Sequence, residues 1–249
     1  MSGEQKPEQN QRAAATPARQ PIFNLPPVVA AIAGLFVAIQ AVDSFVLNES
    51  TRQELLVWLA FIPYRIVDIA SAPGSFWPLL WTPFTHAFLH AGWEHVLLNT
   101  VWFVIFATPL AHRYGGVKMG LLFLLGAIAG AAAFAATTLP QFSLLIGASG
   151  GVSALTGAAI RFMFQPVETA TNPETGERVV LGRRLASIAE VFRHPTARIF
   201  TIVWIVLNAI VPLLPMFMPD MAVEVAWQSH LGGFLVGFLL VPLFERSRI

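Results

Sequence analysis

The 249-residue sequence contains no cysteine and little charge. Asp, Glu, Lys and Arg make up 12% of it and hydrophobic residues 55%, whereas average soluble domains are about 25% charged and about 45–50% apolar. The absence of cysteine excludes disulfides, thiolate metal sites and cysteine nucleophiles. The net charge of +1 offers no basic field for nucleic acid. The composition therefore predicts a protein whose core lies in lipid, with no nucleic-acid partner.

Long apolar runs predict six membrane-spanning helices. About 20 residues of helix cross a hydrocarbon core about 30 Å thick. Residues 1–25 are polar and lack the apolar stretch of a signal peptide, so they predict a disordered cytoplasmic tail before a membrane domain at residues 26–249. The predicted spans are residues 27–47, 94–111, 119–139, 147–164, 199–219 and 226–244, with long loops at 48–93 and 165–198.

The basic residues predict the orientation of these spans. Lys and Arg collect on the cytoplasmic side of a membrane. With the N-terminus inside, thirteen of the fifteen Lys and Arg residues lie on the cytoplasmic side, and Arg52 and Arg65 lie outside. We therefore expect a multi-pass protein of the cell membrane, assigned to a bacterial inner membrane, with both termini in the cytoplasm.

The first long loop is too apolar for an ordinary solvated connection. It contains Trp58, Trp77 and Trp81, and tryptophan is enriched at membrane–water interfaces. Polar and helix-breaking residues, among them Pro63 and Arg65, interrupt every window that could form a further span. The loop is predicted to form short helices that lie on or partly in the outer leaflet.

Three polar clusters interrupt the apolar spans, where polar groups are costly and indicate function. His95 and Asn99 are four residues apart at the start of span two, which places them on one helix face. Residues 147–151, GASGG, begin span four, and residues 229–233, SHLGG, lie near the start of span six. In the predicted orientation all three clusters lie toward the outer side of the membrane.

These clusters contain the parts of a serine hydrolase. A serine hydroxyl becomes nucleophilic when a positioned imidazole takes its proton, and the developing oxyanion needs preorganised donors. Ser149 offers the nucleophile and His230 the base, while His95 and Asn99 offer donors. The backbone N–H groups of Ala148 and Ser149 lie at a helix start that lacks internal acceptors, so they provide further donors.

Small residues predict close contacts between these helices. Gly147 and Gly150 flank the serine, and span six carries Gly233 and Gly237 at the GxxxG spacing. We expect all four glycines to serve packing. Close contact of spans four and six would bring the imidazole of span six to the serine of span four.

Other interpretations remain open for single residues. Asn99 and Asn208 could form interhelical hydrogen bonds, and His86 and His90 could shape the loop or line the site.

GASGG also satisfies the G-x-S-x-G pattern of α/β-hydrolases, with Asp220 as the acid, but the lipid-length flanks leave no place for the open parallel sheet of that fold. Histidines could bind haem or zinc, yet no pair lies on opposite inner and outer faces of two spans. No cofactor or metal is therefore predicted.

Three stretches together match a known pattern: FTHAFLHAGWEHVLLN, IGASGGVSAL and SHLGGFLVG. They correspond to the HxxxN, GxSG and HxxGxxxG motifs of the rhomboid family of intramembrane serine proteases, which the chain resembles over about residues 28–244. The resemblance implies an all-α bundle of six transmembrane helices. It also implies Ser149 as nucleophile, His230 as the base of a dyad without a carboxylate, and His95 and Asn99 as oxyanion partners.

Three positions depart from the family pattern. Thr82 follows a tryptophan where many members have arginine, Ala111 replaces a glutamate that ties down the end of span two, and Ser153 replaces a tyrosine that often stacks on the histidine.

The resemblance implies cleavage of peptide bonds in or beside transmembrane segments, with membrane-protein substrates and the lipid bilayer as partners. The alternative is a catalytically silent member that binds membrane clients as an adaptor or quality-control factor.

Overall fold

A helix occupies each of the six apolar runs. The computed structural model describes residues 25–210, 213 and 225–245, so almost all of the predicted tail, Asp220 and most of residues 211–219 lie outside the described residues. The mostly helical architecture confirms the predicted all-α membrane bundle. The helices are α1 (Pro27–Phe45), α2 (Glu49–Leu59), α3 (Thr82–Thr85), α4 (Trp93–Tyr114), α5 (Gly116–Thr138), α6 (Ser149–Met163), α7 (Ile188–Arg193), α8 (Pro195–Ile210) and α9 (Trp227–Leu240), and the strands are β1 (Val167–Thr171) and β2 (Arg178–Arg183).

Among the described residues, four helical segments are long and apolar enough to cross a membrane: α1, α4, α5, and α9 with the 3-10 turn that continues it to Phe244. The helix α6 has only 15 residues. Every residue of α6 from Gly150 to Phe162 is buried, and α6 packs against α4, α5 and α9. It is therefore the central helix of the bundle. The helix α8 begins at Pro195, earlier than the predicted 199, because proline is favourable at a helix start.

Glycines let α6 and α9 approach to backbone contact. A Cβ placed on Gly233 would overlap the carbonyl group of Gly150, and one on Gly237 would overlap that of Ala154. Lipid tails are as apolar as leucine, so helices in a membrane associate through such close packing and not through exclusion of water. These contacts hold the start of α6 beside the first two turns of α9.

An aromatic cluster joins the helices on the other side of α6. The rings of Phe36 and Phe103 lie 5.3 Å apart, and Phe103 and Phe123 lie 5.6 Å apart. Both contacts have the edge-to-face geometry that aromatic pairs prefer. The cluster therefore links α1, α4 and α5, and in this way it attaches the first span to the rest of the bundle.

A buried arginine organises the first long loop, which consists of short helices and 3-10 turns as predicted. Arg65 is fully buried and donates hydrogen bonds to the backbone carbonyls of Pro73 (2.9 Å), Ala60 (3.4 Å) and Val57. A buried charge needs such partners. Arg65 is thus the buried arginine of this loop. Position 82, where the family pattern often has an arginine, is a threonine.

The same loop is bonded to the segment that leads into α6. Phe61 and Leu145 exchange two backbone hydrogen bonds, of 3.1 and 2.9 Å. Trp81 donates its indole N–H to the carbonyl of Trp58 at 2.6 Å. The loop and the start of α6 are therefore held as one structure.

The segment 165–198, predicted as a loop, contains regular structure that its sequence pattern does not indicate. The strands β1 and β2 pair in antiparallel fashion, and α7 begins with a reciprocal capping box between Ser187 and Glu190. The Arg184 guanidinium, 2.7 Å from the Glu190 carboxylate, together with the Ser187 bonds, lowers the pKa of Glu190 to about 2. The strands are short and mostly exposed, so they lack the alternating pattern that predicts a strand.

Ion pairing joins the far ends of α4 and α9. Arg113 pairs with the Glu245 carboxylate, and the Tyr114 hydroxyl donates to the same carboxylate at 3.0 Å. Lys118 donates to the carbonyl of Phe244 at 2.8 Å. These contacts hold the end of α4 in place. They do so although Ala111 stands where the family pattern has a glutamate.

Candidate active site

Ser149 is the first residue of α6 and faces a cavity of about 240 Å³ between the helices. His230 of α9 and Asn99 of α4 face the same cavity. The structure thus brings together three of the predicted site residues. Most of the remaining described wall is apolar; the described lining residues are Asn99, Trp102, Ser149, Val152, Ser153, Thr156, Trp204, Leu207, Asn208 and His230.

Gly147 shapes the turn that precedes the serine. Its φ of +120° lies in a region that L side chains rarely adopt, and its N–H donates to the carbonyl of His86 at 2.9 Å. A Cβ at this position would lie 2.9 Å from Nε2 of His95 and 3.8 Å from Oγ of Ser149. Glycine is therefore required here, and the imidazole of His95 lies beside the turn that carries the serine.

The backbone determines which nitrogen of His95 carries the proton. The N–H of Ala91 donates to Nδ1 of His95 at 3.3 Å, so Nδ1 must be an acceptor and the neutral ring carries its proton on Nε2. That nitrogen lies on the side of Gly147. The tautomer therefore directs a donor toward the space beside Ser149.

Two further donors lie close to the serine. The side chain of Asn99 is buried and donates one amide hydrogen to the carbonyl of His95 at 3.0 Å, which leaves its second amide hydrogen for the cavity. The backbone N–H of Ser149 has no acceptor within the described part of the chain. The N–H of Ala148, also predicted as an oxyanion donor, instead donates to Nε2 of His90 at 3.4 Å.

His86 and His90 flank the site as neutral side chains. Burial lowers the pKa of His86 to about 4, and burial together with the neighbouring His95 lowers the pKa of His90 to about 3. His86 donates from Nδ1 to the carbonyl of Thr82 at 2.8 Å, while the ring of His90 packs edge-on against that of His95 at 5.1 Å. Both therefore support the loop and the donor His95.

His230 lies one turn inside α9, on the side that faces α6. Its neighbour Ser229 is 1% exposed, and its Oγ would lie 2.7 Å from a Cβ on Gly150. Within the described residues no hydrogen bond joins Ser149 to His230, although both face the cavity. Catalytic hydrogen bonds are often long in a free enzyme and shorten when substrate binds.

Asn208 is not among the site residues predicted from the sequence. Nδ1 of His230 lies 2.7 Å from Oδ1 of Asn208, so the interhelical hydrogen bond considered for Asn208 is present and its partner is the predicted base. A polar residue on an apolar span was the available signal. Nothing in the sequence pairs it with span six.

No three His, Asp or Glu side chains gather closely enough to hold a metal ion in residues 25–210, 213 and 225–245. Among the described lining residues, the polar side chains include three hydroxyls (Ser149, Ser153 and Thr156), one imidazole and two amides, with no carboxylate. This set can move a proton between serine and histidine and can donate hydrogen bonds to an anionic oxygen.

Comparison with known proteins points to one family. The family model of the Rhomboid domain matches residues 78–247. RHOMBOID-like protein 1 of Arabidopsis thaliana is 28% identical over 166 residues, which are 66% of this chain and 34% of that protein. Rhomboid-related protein 3 of Homo sapiens is 35% identical over 79 residues, 32% of this chain and 19% of that protein. RHOMBOID-like protein 6, mitochondrial, of Arabidopsis thaliana is 26% identical over 161 residues, 64% of this chain and 42% of that protein.

The chain therefore covers less than half the length of each of these relatives. The family model, in contrast, extends from the 3-10 turn at Trp77–Leu80 past the end of α9. It thus includes all three polar clusters and the helices that carry them. On this match, the chain belongs to the rhomboid family of membrane proteins.

Proposed function

We propose that this chain is an intramembrane serine protease that cleaves peptide bonds in or near transmembrane segments of other membrane proteins. The observation that carries the proposal is the shared cavity of Ser149, His230 and Asn99 in a member of the rhomboid family. Its wall combines a nucleophile, a base and donors with apolar side chains that suit a transmembrane substrate.

In the proposed reaction, Oγ of Ser149 attacks the scissile carbonyl carbon while Nε2 of His230 takes the hydroxyl proton. The carbonyl oxygen becomes an oxyanion that accepts hydrogen bonds from Nε2 of His95, the amide of Asn99 and the backbone N–H of Ser149. His230 then passes the proton to the leaving amine, which departs and leaves an acyl-enzyme. Water then attacks the acyl carbon and gives a proton to His230. His230 passes this proton to Oγ of Ser149 as the acid product leaves.

We place the protein in the membrane with both termini in the cytoplasm and the cavity toward the outer side. The support is the distribution of Lys and Arg. Substrates would then be membrane proteins whose helix exposes a peptide carbonyl near the outer surface.

The proposal is tested by labelling the purified protein with a fluorophosphonate, which phosphonylates an activated serine. We expect the wild type to be labelled and Ser149→Ala to remain unlabelled. Ser153→Ala is a matched control, because Ser153 is one turn further along α6 and faces the same cavity, so this variant should label like the wild type.

Two results would contradict the proposal. A folded wild type that does not label would favour the catalytically silent member that binds membrane clients. Labelling that persists in Ser149→Ala would show that another residue is the nucleophile.

The oxyanion role of Asn99 predicts a loss in the chemical step and not in substrate binding. Loss of one oxyanion donor costs about 10²–10³ in kcat in a soluble serine protease, and we expect Asn99→Ala to lose at most this much because other donors remain. The measurement is kcat and KM for a reporter transmembrane substrate. Thr100→Val is the control, since the Thr100 hydroxyl bonds only within α4, to the carbonyl of Val96. A rise in KM alone in Asn99→Ala would contradict the assigned role.

A further inference from the structure

Asn208 presents its side-chain oxygen to the predicted base. Its Nδ2 group donates to the carbonyl of Trp204, one turn earlier in α8, at 2.8 Å. Its Oδ1 atom lies 2.7 Å from Nδ1 of His230. A carbonyl oxygen only accepts hydrogen bonds, so the group that faces Trp204 must be the amide NH₂ and the atom that faces His230 must be the oxygen.

This arrangement determines the tautomer of His230. Because Oδ1 of Asn208 only accepts, Nδ1 of His230 must carry the hydrogen and donate it. A neutral imidazole with its proton on Nδ1 has its free lone pair on Nε2. Nε2 is then the nitrogen available to take the proton of Ser149, as general-base catalysis requires.

A ring contact one turn away sets the register of α8 against α9. The rings of Trp204 and Phe234 stack at 4.4 Å with an interplanar angle of 19°. Trp204 precedes Asn208 by four residues and Phe234 follows His230 by four, so the stack and the hydrogen bond lie on the same faces of the two helices. The stack therefore presents Asn208 to His230.

No aromatic ring stacks on His230 in the part of the chain that the structure describes. Ser153, which also faces the cavity, is too small to hold an imidazole by stacking. The hydrogen bond from Nδ1 to Asn208 is therefore the contact that orients this ring.

We propose that Asn208 is a positioning residue that holds His230 in the Nδ1-protonated form and aims its Nε2 at Ser149. The inference rests on the proposed protease function. When His230 takes the serine proton, the Nδ1–H bond becomes a bond from a charged donor, and such bonds are stronger than those between neutral groups. Asn208 thus favours the protonated imidazole that forms during the reaction, as the acid of a Ser-His-Asp triad does.

The test compares Asn208→Leu, which keeps the approximate size and removes the acceptor, with Asn208→Asp, which keeps an acceptor. For Asn208→Leu we expect kcat to fall about 10- to 100-fold, as for loss of a hydrogen bond to a charged group, with KM within about twofold of the wild type. Asn208→Asp keeps the acceptor for Nδ1 of His230 but replaces the donor to the Trp204 carbonyl by an oxygen, so it should lose less activity than Asn208→Leu. Thr201→Val, which removes a buried hydroxyl bonded to the carbonyl of Ala197 in the same helix, should change neither parameter.

Fluorophosphonate labelling separates failure of this inference from failure of the proposed function. A folded wild type that does not label overturns the protease proposal. If the wild type labels and Asn208→Leu labels at the same rate, the positioning role is wrong. A loss in Asn208→Leu that appears only in KM, or an equal loss in Asn208→Asp, overturns it as well. Should Asn208→Leu fail to fold in a thermal melt, Asn208→Ala is measured in its place with the same criteria.

Discussion

Ser149→Ala and His230→Ala are each expected to lower kcat on a reporter transmembrane substrate by about 10⁴-fold or more, and the double variant is expected to be no worse than either single variant. The reason is that, in the proposed dyad, nucleophile and base act as one unit. Without the imidazole the serine hydroxyl keeps its proton, and without the hydroxyl the imidazole has no nucleophile to activate.

The measurement is single-turnover cleavage in detergent or in liposomes, with the melting temperature of each variant as a check of folding. Ser153→Ala again serves as the control that removes a hydroxyl from the same cavity. Losses that multiply in the double variant would mean that Ser149 and His230 act independently, which would contradict the proposed dyad.

Gly237→Ala is expected to destabilise the bundle more than any other glycine-to-alanine change on α9. The new methyl group would overlap the carbonyl of Ala154 in the central helix α6. Backbone atoms cannot rotate away as a side chain does, so α6 and α9 must separate. Overpacking typically costs about 1–3 kcal/mol, and we expect a loss at the upper end of that range or beyond it.

Gly120→Ala in α5 is the matched control, because no atom lies within 4 Å of the position of its Cβ. Alanine there should leave stability unchanged or raise it by about 0.5–1 kcal/mol, since glycine is unfavourable inside a helix. Thermal unfolding in detergent, followed by helical circular dichroism, measures both variants. Equal melting temperatures for Gly237→Ala and the wild type would show that backbone contact between α6 and α9 is not required.

The same separation of helices should reduce labelling of Ser149. His230 lies less than two turns from Gly237 on α9, so displacement of α9 would move this proposed base away from the start of α6. Stability and labelling are therefore expected to fall together in Gly237→Ala.

Much of the architecture could be predicted from apolar runs, because every span in lipid must satisfy its backbone hydrogen bonds as a helix. The described residues contain a helix in each of the six runs, and four of these helical segments are long and apolar enough to cross a membrane. The three polar clusters were also visible in the sequence, since a histidine or asparagine in an apolar span is costly and its position is readable. The structure placed Ser149, His230 and Asn99 around one cavity.

Contacts between distant segments were decided only by the tertiary structure. In lipid both faces of a helix are apolar, so the sequence pattern does not determine how each helix is rotated about its axis. The bond from His230 to Asn208 depends on that rotation. The hydrogen bond from the Ala148 N–H to His90 and the pairing of Arg113 with Glu245 depend on where the loops and chain segments beyond the helix ends are placed. The sequence by itself thus determined which chemical groups the membrane bundle carries, whereas helix packing decided which of those groups meet.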